Sequence, residues 1–290
     1  LQKQRGFFNS LIELVLGLVI FYTKPMISVT ILTLNAQRHL NRVLEALKNF
    51  DDIVVLDSGS TDSTEAIAHS FKNVRFFYEP FQGFGKAHNL ASSLAKHDWI
   101  LSIDADEVLS SELAQEILAH RLSENCIYEL KFKNIFRNRW IKWCGWHPES
   151  HIRLYHRLQT AFTDAEVHEG IMKKSLKVCS FKNYIEHYSY DNLSDFLIKM
   201  ERYTTLFARQ YQGKRKSSVP IALYHGIGAF LVTYFLRRGF LGGYEGFIIS
   251  TYNAHTAFYK YLKLYELNAV THFNVSQDRK RETCQLPGNI

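Results

Sequence analysis

Between residues 26 and 133, short apolar runs alternate with amphipathic stretches. Ile27–Leu34 has the β-branched, apolar character of a strand. Arg38–Phe50 predicts a helix, because Leu40, Val43, Leu44 and Leu47 recur at helical spacing on one face. Ile53–Leu56 predicts a short strand apolar on both faces, and Ser63–Phe71 a helix behind a Ser/Gly/Asp turn. Val74–Tyr78 and Trp99–Ile103 predict two more strands, with a helix over Lys86–Lys96 between them. Ser110 or Ser111 is placed to cap another helix, with Glu112 in its first turn. Strand and helix thus alternate, which predicts a mostly parallel α/β sheet flanked by helices. Residues 127–190 change character: strand-like pieces (Tyr128–Phe132, Ile152–Tyr155) alternate with loops rich in Trp, His and acids. After Asn192 the pattern turns helical, with Leu193, Phe196, Leu197, Met200, Tyr203 and Phe207 on one stripe. The region beyond is rich in aromatics, and the polar tail after Asn268 is expected to be loose.

Two apolar runs bear on membranes. Leu11–Tyr22 is short and interrupted by Glu13, whereas spanning needs roughly 20 residues. No small-residue cleavage site follows it, so residues 1–25 read as an accessory extension. Val219–Leu236 is longer and is followed by Arg237 and Arg238. A buried helix, an interfacial or re-entrant segment and a full span are all open for it. Aromatics beside arginines favour the headgroup boundary. The expected organisation is therefore an extension (1–25), a catalytic domain (26–190), a helical membrane-associated region (191–268) and a polar tail (269–290).

Composition changes the picture little. With 290 residues, 46% apolar and 22% charged, the chain is an ordinary globular one and not a disordered chain or a coiled coil. The net charge of +7 favours anionic partners. The basic clusters are too short for a nucleic-acid arm, so no nucleic-acid partner is expected. Four cysteines with no C-x-x-C spacing argue against a zinc site or a disulfide framework and fit a reducing compartment.

In an open α/β sheet, ligands bind beyond the carboxyl ends of the strands. Three such ends carry polar clusters: Thr33-Leu34-Asn35, Asp57-Ser58-Gly59-Ser60-Thr61-Asp62, and Asp104-Ala105-Asp106-Glu107. The last is the sharpest. Alternate carboxylates leaving a strand can share one hard cation, Mg²⁺ or Mn²⁺, whose shell is completed by diphosphate oxygens. The segments VTILTLN, VVLDSGSTDST, QGFGKAHNLA and ILSIDADE, in that order, resemble a family-2 glycosyltransferase of the glycosyltransferase-A fold over residues 26–190. DAEVHEG, EHYSY and the aromatic C-terminal region resemble the branch of lipopolysaccharide-core β-1,4-glucosyltransferases.

The resemblance implies roles. Thr33 and Asn35 would line the nucleoside pocket, Asp57 would hold the nucleobase or ribose, and Asp62 would support that loop. Asp104 and Asp106 look like the metal-and-diphosphate motif, with Asp106 the direct ligand and His187 completing the site. Glu169 resembles the catalytic base. Lys86, at a helix start, would approach the diphosphate. His88 departs from the family pattern, which has Arg before the Asn at 89. Trp146 and His168 are placed on the acceptor side. The implied activity is inverting transfer of a hexose, glucose in that branch, from a UDP-sugar to a lipid-linked glycan. It would take place at the cytoplasmic face of the inner membrane, with the protein peripheral or monotopic.

Rival readings stand beside these. Asp57 can merely cap its turn, and Asp62 reads more readily as a helix cap than as a ligand. Asp164 and Glu166 compete with Glu169 as base. His147, His151 and His156 have a metal-like spacing, but it crosses a predicted strand. Gly83-x-Gly85 lacks the third glycine of a dinucleotide fingerprint. A sugar-phosphate nucleotidyltransferase lacks its basic glycine loop here, since Asn35-Ala36-Gln37-Arg38 has one Arg and no Gly. A non-catalytic, membrane-associated glycan-binding protein is the non-enzyme alternative.

Overall fold

The computed structural model describes residues 25–163 and 170–283, with side chains described through Ala269. The apolar run 11–22 and residues Asp164–Glu169, which include Glu166, His168 and Glu169, lie outside the described residues.

Four strands form the parallel part of the sheet: β1 (Ile27–Thr33), β2 (Asp52–Asp57), β3 (Val74–Tyr78) and β4 (Trp99–Asp104). β1 lies between β2 and β4, and β3 pairs the outer side of β2. Every residue of β2 is buried, as expected of a parallel strand covered on both faces. The connecting helices are α1 (Leu40–Ala46), α2 (Thr64–His69) and α3 (Phe84–Ser93). Leu40, Val43 and Leu44 do form the buried face of α1, but that helix is shorter than its apolar periodicity predicts. After β5 (Glu107–Leu109), α4 (Ser111–Ala119) is capped by Ser110, whose hydroxyl accepts from Leu113 N–H.

The remaining strands are β6 (Cys126–Phe136), β7 (Arg139–Trp140), β8 (Ser150–His156) and β9 (Lys177–Tyr190). The strand order is β3-β2-β1-β4-β8-β6-β9-β5, and β8 runs antiparallel to β4. The sheet is therefore mixed. Its parallel half follows the α/β alternation, and the other half comes from the loop-rich stretch that alternation does not cover. Two compact units result. Among the described residues, the first holds those through Leu130 together with those between His151 and Ile185; the second holds Lys131–Ser150 and those from Glu186 on. This differs from the sequence expectation, which placed residues 131–150 with the catalytic domain. Val54, Leu56, Ala91, Ile100 and Tyr155 centre a core cluster in the first unit.

The second unit is largely helical: α5 (Leu193–Tyr211), α6 (Val219–Leu231), a π-helical turn (Val232–Leu236), a 3₁₀ turn (Gly239–Gly242) and α7 (Gly243–Thr283). A reciprocal capping box between Asn192 and Asp195 starts α5. The stripe expected on α5 is only partly inward. Phe196 is buried with Thr204 and Ala208, whereas Leu193, Leu197 and Tyr203 face out. The core here is aromatic, with the Tyr190 and Phe196 rings stacked at 3.9 Å and Phe136 edge-on to Phe196. The tail expected to be loose is instead helical through Thr283.

Candidate active site

The carboxyl ends of β2, β1 and β4 are neighbours, with Thr33 opposite Asp57 and Leu32 opposite Asp104 in register. With strands about 4.8 Å apart, Asp57 and Asp104 flank β1 roughly 10 Å from each other. Three of the polar clusters found in sequence thus come to one edge.

The first two interlock. The buried Asp57 carboxylate accepts from Thr33 Oγ1 (2.8 Å), Ser60 Oγ (2.6 Å), Gly59 N (2.9 Å) and Ser60 N (2.7 Å). Burial alone raises its pKa, and these donors more than reverse that, so it stays ionised. Gly59 meets the turn at φ +106°, which an L side chain rarely adopts. Asn35 takes positive φ as well; its N–H donates to Ser60 Oγ and its Oδ1 accepts from Thr61 N. Asp62 accepts from Thr64 N, Thr64 Oγ1 and Gln37 N, tying the β1 and β2 loops together beside Ser63, the N-cap of α2. Thr33, Asn35, Asp57 and Asp62 are therefore held by one another. Both Asp57 oxygens are fully engaged in building this loop, which is the capping alternative rather than a carboxylate left open to a ligand.

At the end of β4, Asp104 meets a residue that sequence reasoning passed over. Arg153 of β8 donates from Nη2 to Asp104 Oδ2 (2.8 Å) and, by a very short contact, to Glu107 Oε1. Glu107 Oε2 in turn accepts from Asp104 N–H (3.0 Å), which fixes the turn through Asp106. Burial pushes the Asp104 carboxyl up, but the Arg153 guanidinium beside it holds it well below the usual carboxylate range. Burial works against the Arg153 charge too, yet the two carboxylates keep it firmly cationic. Only a cross-strand neighbour distant in sequence marks Arg153, so no motif spacing reveals it.

His88 of α3 lies on the same cavity. Its ring stacks on Phe162 at 4.2 Å and its Nδ1 meets Ser102 Oγ at 3.1 Å. Burial pushes its pKa down to about 4, against the pull of Asp104, so the imidazole is neutral at pH 7. The cation beside Asp104 is Arg153, on the same cavity as His88. Lys86, two residues earlier on α3, points elsewhere: it borders a separate cavity of about 190 Å³ with Glu79, Phe81 and Gln82. The Asp104 cavity, about 390 Å³, is lined by His88, Asp104, His151, Arg153, Phe162 and Lys173 among others. The structure therefore does not bring Lys86 to the Asp104 cavity.

His187 and Trp146 belong to the second unit. His187 Nδ1 meets Asn134 Oδ1 (3.0 Å) and its Nε2 meets Ser189 Oγ (2.7 Å). Both ring nitrogens are engaged, so ligation of a metal requires giving up one of these contacts. Trp146, expected on the acceptor side, stacks near Tyr190 and Phe196 and packs on the aromatic core of the second unit. The three histidines at 147, 151 and 156 do not form a metal site. His147 sits edge-on to Trp140, His156 edge-on to Trp99, and His151 borders the Asp104 cavity.

Among the described residues, no group of three or more His, Cys, Asp or Glu is arranged to hold a metal. The Asp104–Asp106 pair nevertheless suits Mg²⁺ or Mn²⁺. Hard oxygen donors match these ions, which commonly take one or two protein carboxylates and fill the shell from phosphate and water.

A glycosyl transfer family 2 model matches residues 28–176. An uncharacterised glycosyltransferase of Rickettsia bellii is 31% identical over 83% of this chain and 87% of its own length. The lipopolysaccharide core biosynthesis glycosyltransferase LpsC of Rhizobium meliloti is 29% identical over 85% of this chain and 94% of its own. Among solved structures, S. aureus TarS 1–349 with UDP-GlcNAc aligns over 88% of this chain and 92% of its own, at 13% identity and TM-score 0.41. The chain belongs to glycosyl transferase family 2. It is a glycosyltransferase with the mixed, helix-flanked sheet of the glycosyltransferase-A type.

Proposed function

We propose that this enzyme transfers a hexose, glucose in the first instance, from a UDP-sugar to a lipid-linked glycan such as lipopolysaccharide core, with inversion. The observation that carries the reading is the carboxylate pair Asp104 and Asp106 leaving β4 beside the cavity that His88 and Arg153 line. A divalent cation bound there supplies charge neutralisation for the departing diphosphate. Asp106 is the direct ligand in this reading. Asp104, held ionised by Arg153, is the second carboxylate. The interlocked Thr33, Asn35 and Asp57 loop forms the wall against which the nucleoside rests. Neutral His88 adds no charge beside Asp104. Lys173 and His151, on the same cavity, offer donors to an anionic group.

Glu169 takes the proton from the attacking acceptor hydroxyl, as a general base opposite the leaving group. A single displacement inverts the anomeric centre, so no second carboxylate nucleophile is needed. In this reading His168 serves the acceptor, and His187 joins the metal only by exchanging its Ser189 contact. Similarity to LpsC, whose name places it in lipopolysaccharide core biosynthesis, supports a glycan acceptor anchored in lipid. It supports a location at the cytoplasmic face of the inner membrane as well.

The test is calorimetric titration of UDP with and without Mn²⁺, followed by turnover with UDP-glucose. Asp106→Asn is expected to abolish the metal-dependent part of UDP binding. Unchanged affinity in Mn²⁺ refutes the metal assignment. Glu169→Gln is expected to bind UDP normally while transfer falls about 10²–10⁴-fold. Near-normal turnover moves the base to Asp164 or Glu166.

A further inference from the structure

The helix α6 and its π-turn continuation are amphipathic the wrong way round for a helix in water. The small and polar side chains face the protein. Ala222, Gly226 and Thr233 are buried against α7, and His225 stacks on Tyr261 at 3.9 Å. A Cβ on Gly226 would lie 3.1 Å from the Phe258 Cβ, so the two helices approach closely on this side. The large apolar side chains Leu223, Tyr224, Ile227, Leu231, Phe235 and Leu236 face outward, with Tyr224 76%, Ile227 60% and Leu236 77% exposed. Contiguous exposed apolar surface of this kind marks an interaction site.

The chemistry at the two ends selects the partner. Lys214, Arg215 and Lys216 precede the helix, and Arg237 and Arg238 follow it, all exposed. The 18 residues from Val219 to Leu236 carry no charge. A second copy docked by a two-fold axis through this face sets cations against cations in either orientation. Anionic headgroups neutralise both ends at once.

The neighbouring helices decide how deep the face goes. α6 and its π turn together cover 18 residues, about 27 Å, which is long enough to cross a bilayer. Its partner α7, however, is gripped from another side by α5. Phe196 contacts Tyr252, Phe207 contacts Tyr261, and Lys263 pairs with Glu201 at 2.6 Å. α5 carries Lys199, Glu201, Arg202 and Arg209 along that length. A spanning bundle carries these charges into hydrocarbon, which is strongly unfavourable.

We infer that the outward face of α6 and its π turn lies in the plane of an anionic phospholipid surface, with the basic residues at both ends seated among the headgroups. The inference deepens the membrane placement proposed above and does not depend on glycosyl transfer, since it is read by binding alone.

The experiment sediments the full chain with vesicles of phosphatidylglycerol and phosphatidylethanolamine, and with neutral phosphatidylcholine vesicles, over a salt series. Wild type is expected to bind the anionic vesicles and to be released by alkaline carbonate. Ile227→Asp/Phe235→Asp is expected to lose at least tenfold in partitioning. Both positions are exposed, and an unchanged thermal midpoint and retained UDP binding confirm that the variant folds. Arg237→Gln/Arg238→Gln is expected to weaken binding roughly thirtyfold and to flatten its salt dependence, at about fivefold per cation. Equal binding by wild type and the aspartate variant overturns the inference, and so does resistance to carbonate, which means a span. Self-association removed by the same aspartates, without vesicle binding, means a second copy and overturns it too. If UDP binding fails while vesicle binding behaves as expected, only the catalytic reading falls.

Discussion

Arg153→Met removes the cation that holds the acidic turn after β4. The magnitude follows from what is left behind. Glu107 is 1% exposed and Arg153 14%, so the variant strands a carboxylate with almost no access to water. Asp104 is 44% exposed, and water screens its loss. Breaking a buried pair by removing one member typically costs about 3–5 kcal/mol. Protonation caps the cost, because the stranded group can become neutral instead. From an ordinary glutamate pKa near 4.3, that takes about 4 kcal/mol at pH 7.5 and about 1.6 kcal/mol at pH 5.5. The destabilisation is therefore expected to approach 4 kcal/mol at pH 7.5 and to shrink by more than half at pH 5.5. Adding Glu107→Gln keeps the acceptor for Asp104 N–H and removes the stranded charge, so most of the loss is recovered. Urea unfolding followed by tryptophan fluorescence, on both variants at both pH values, measures this. A loss below 1 kcal/mol, or one that does not change with pH, refutes the claim that Arg153 compensates a buried charge.

Asp52 is fully buried and accepts from Ser28 Oγ, two Arg75 nitrogens (2.8 and 3.0 Å) and Lys96 N (2.8 Å). Burial raises its pKa, but these donors lower it further, so its stabilisation is complete above the unfolded value near 3.9 and is lost as pH falls through the lower folded value. Asp52→Asn is expected to cost about 2–3 kcal/mol at neutral pH and to flatten the acid limb of the stability curve; an unchanged limb counts against it. In the second unit, a Cβ at Gly246 would fall 1.9 Å from the Gly239 carbonyl oxygen, which is backbone and cannot rotate away. Gly246→Ala is expected to cost about 3 kcal/mol and lower the calorimetric Tm by several degrees, and a midpoint within one degree of wild type rejects the contact.

The Asp57 loop shows how far spacing reaches. Strand, acidic turn and helix alternate in one dimension, and a parallel sheet obliges the carboxyl ends of β1, β2 and β4 to share an edge. The edge is therefore legible from the order of motifs. Whether a carboxylate on it is open is not, because that depends on which N–H groups the turn aims at it. Four donors close on Asp57, a count that no spacing rule contains. Lys86 and His88 make the same point on a helix. Two residues apart, they lie on different faces, so the neutral imidazole lines the Asp104 cavity and the exposed cation does not.

What the sequence determined by itself is local or periodic: the βα alternation, the apolar run Ile53–Leu56, the helix start at Ser110 or Ser111, the helical pattern after Asn192, the Asp104–Asp106 pair and the uncharged run 219–236. These depend on side-chain type at fixed intervals along one chain. Only the tertiary structure decided the antiparallel β8 that carries Arg153, the partition of residues 131–150, and the direction in which α6 faces. The last is the clearest case. An uncharged run carries no charged face to mark its solvent side, and it was the small residues Ala222 and Gly226, admitting the close approach of α7, that turned its large side chains outward.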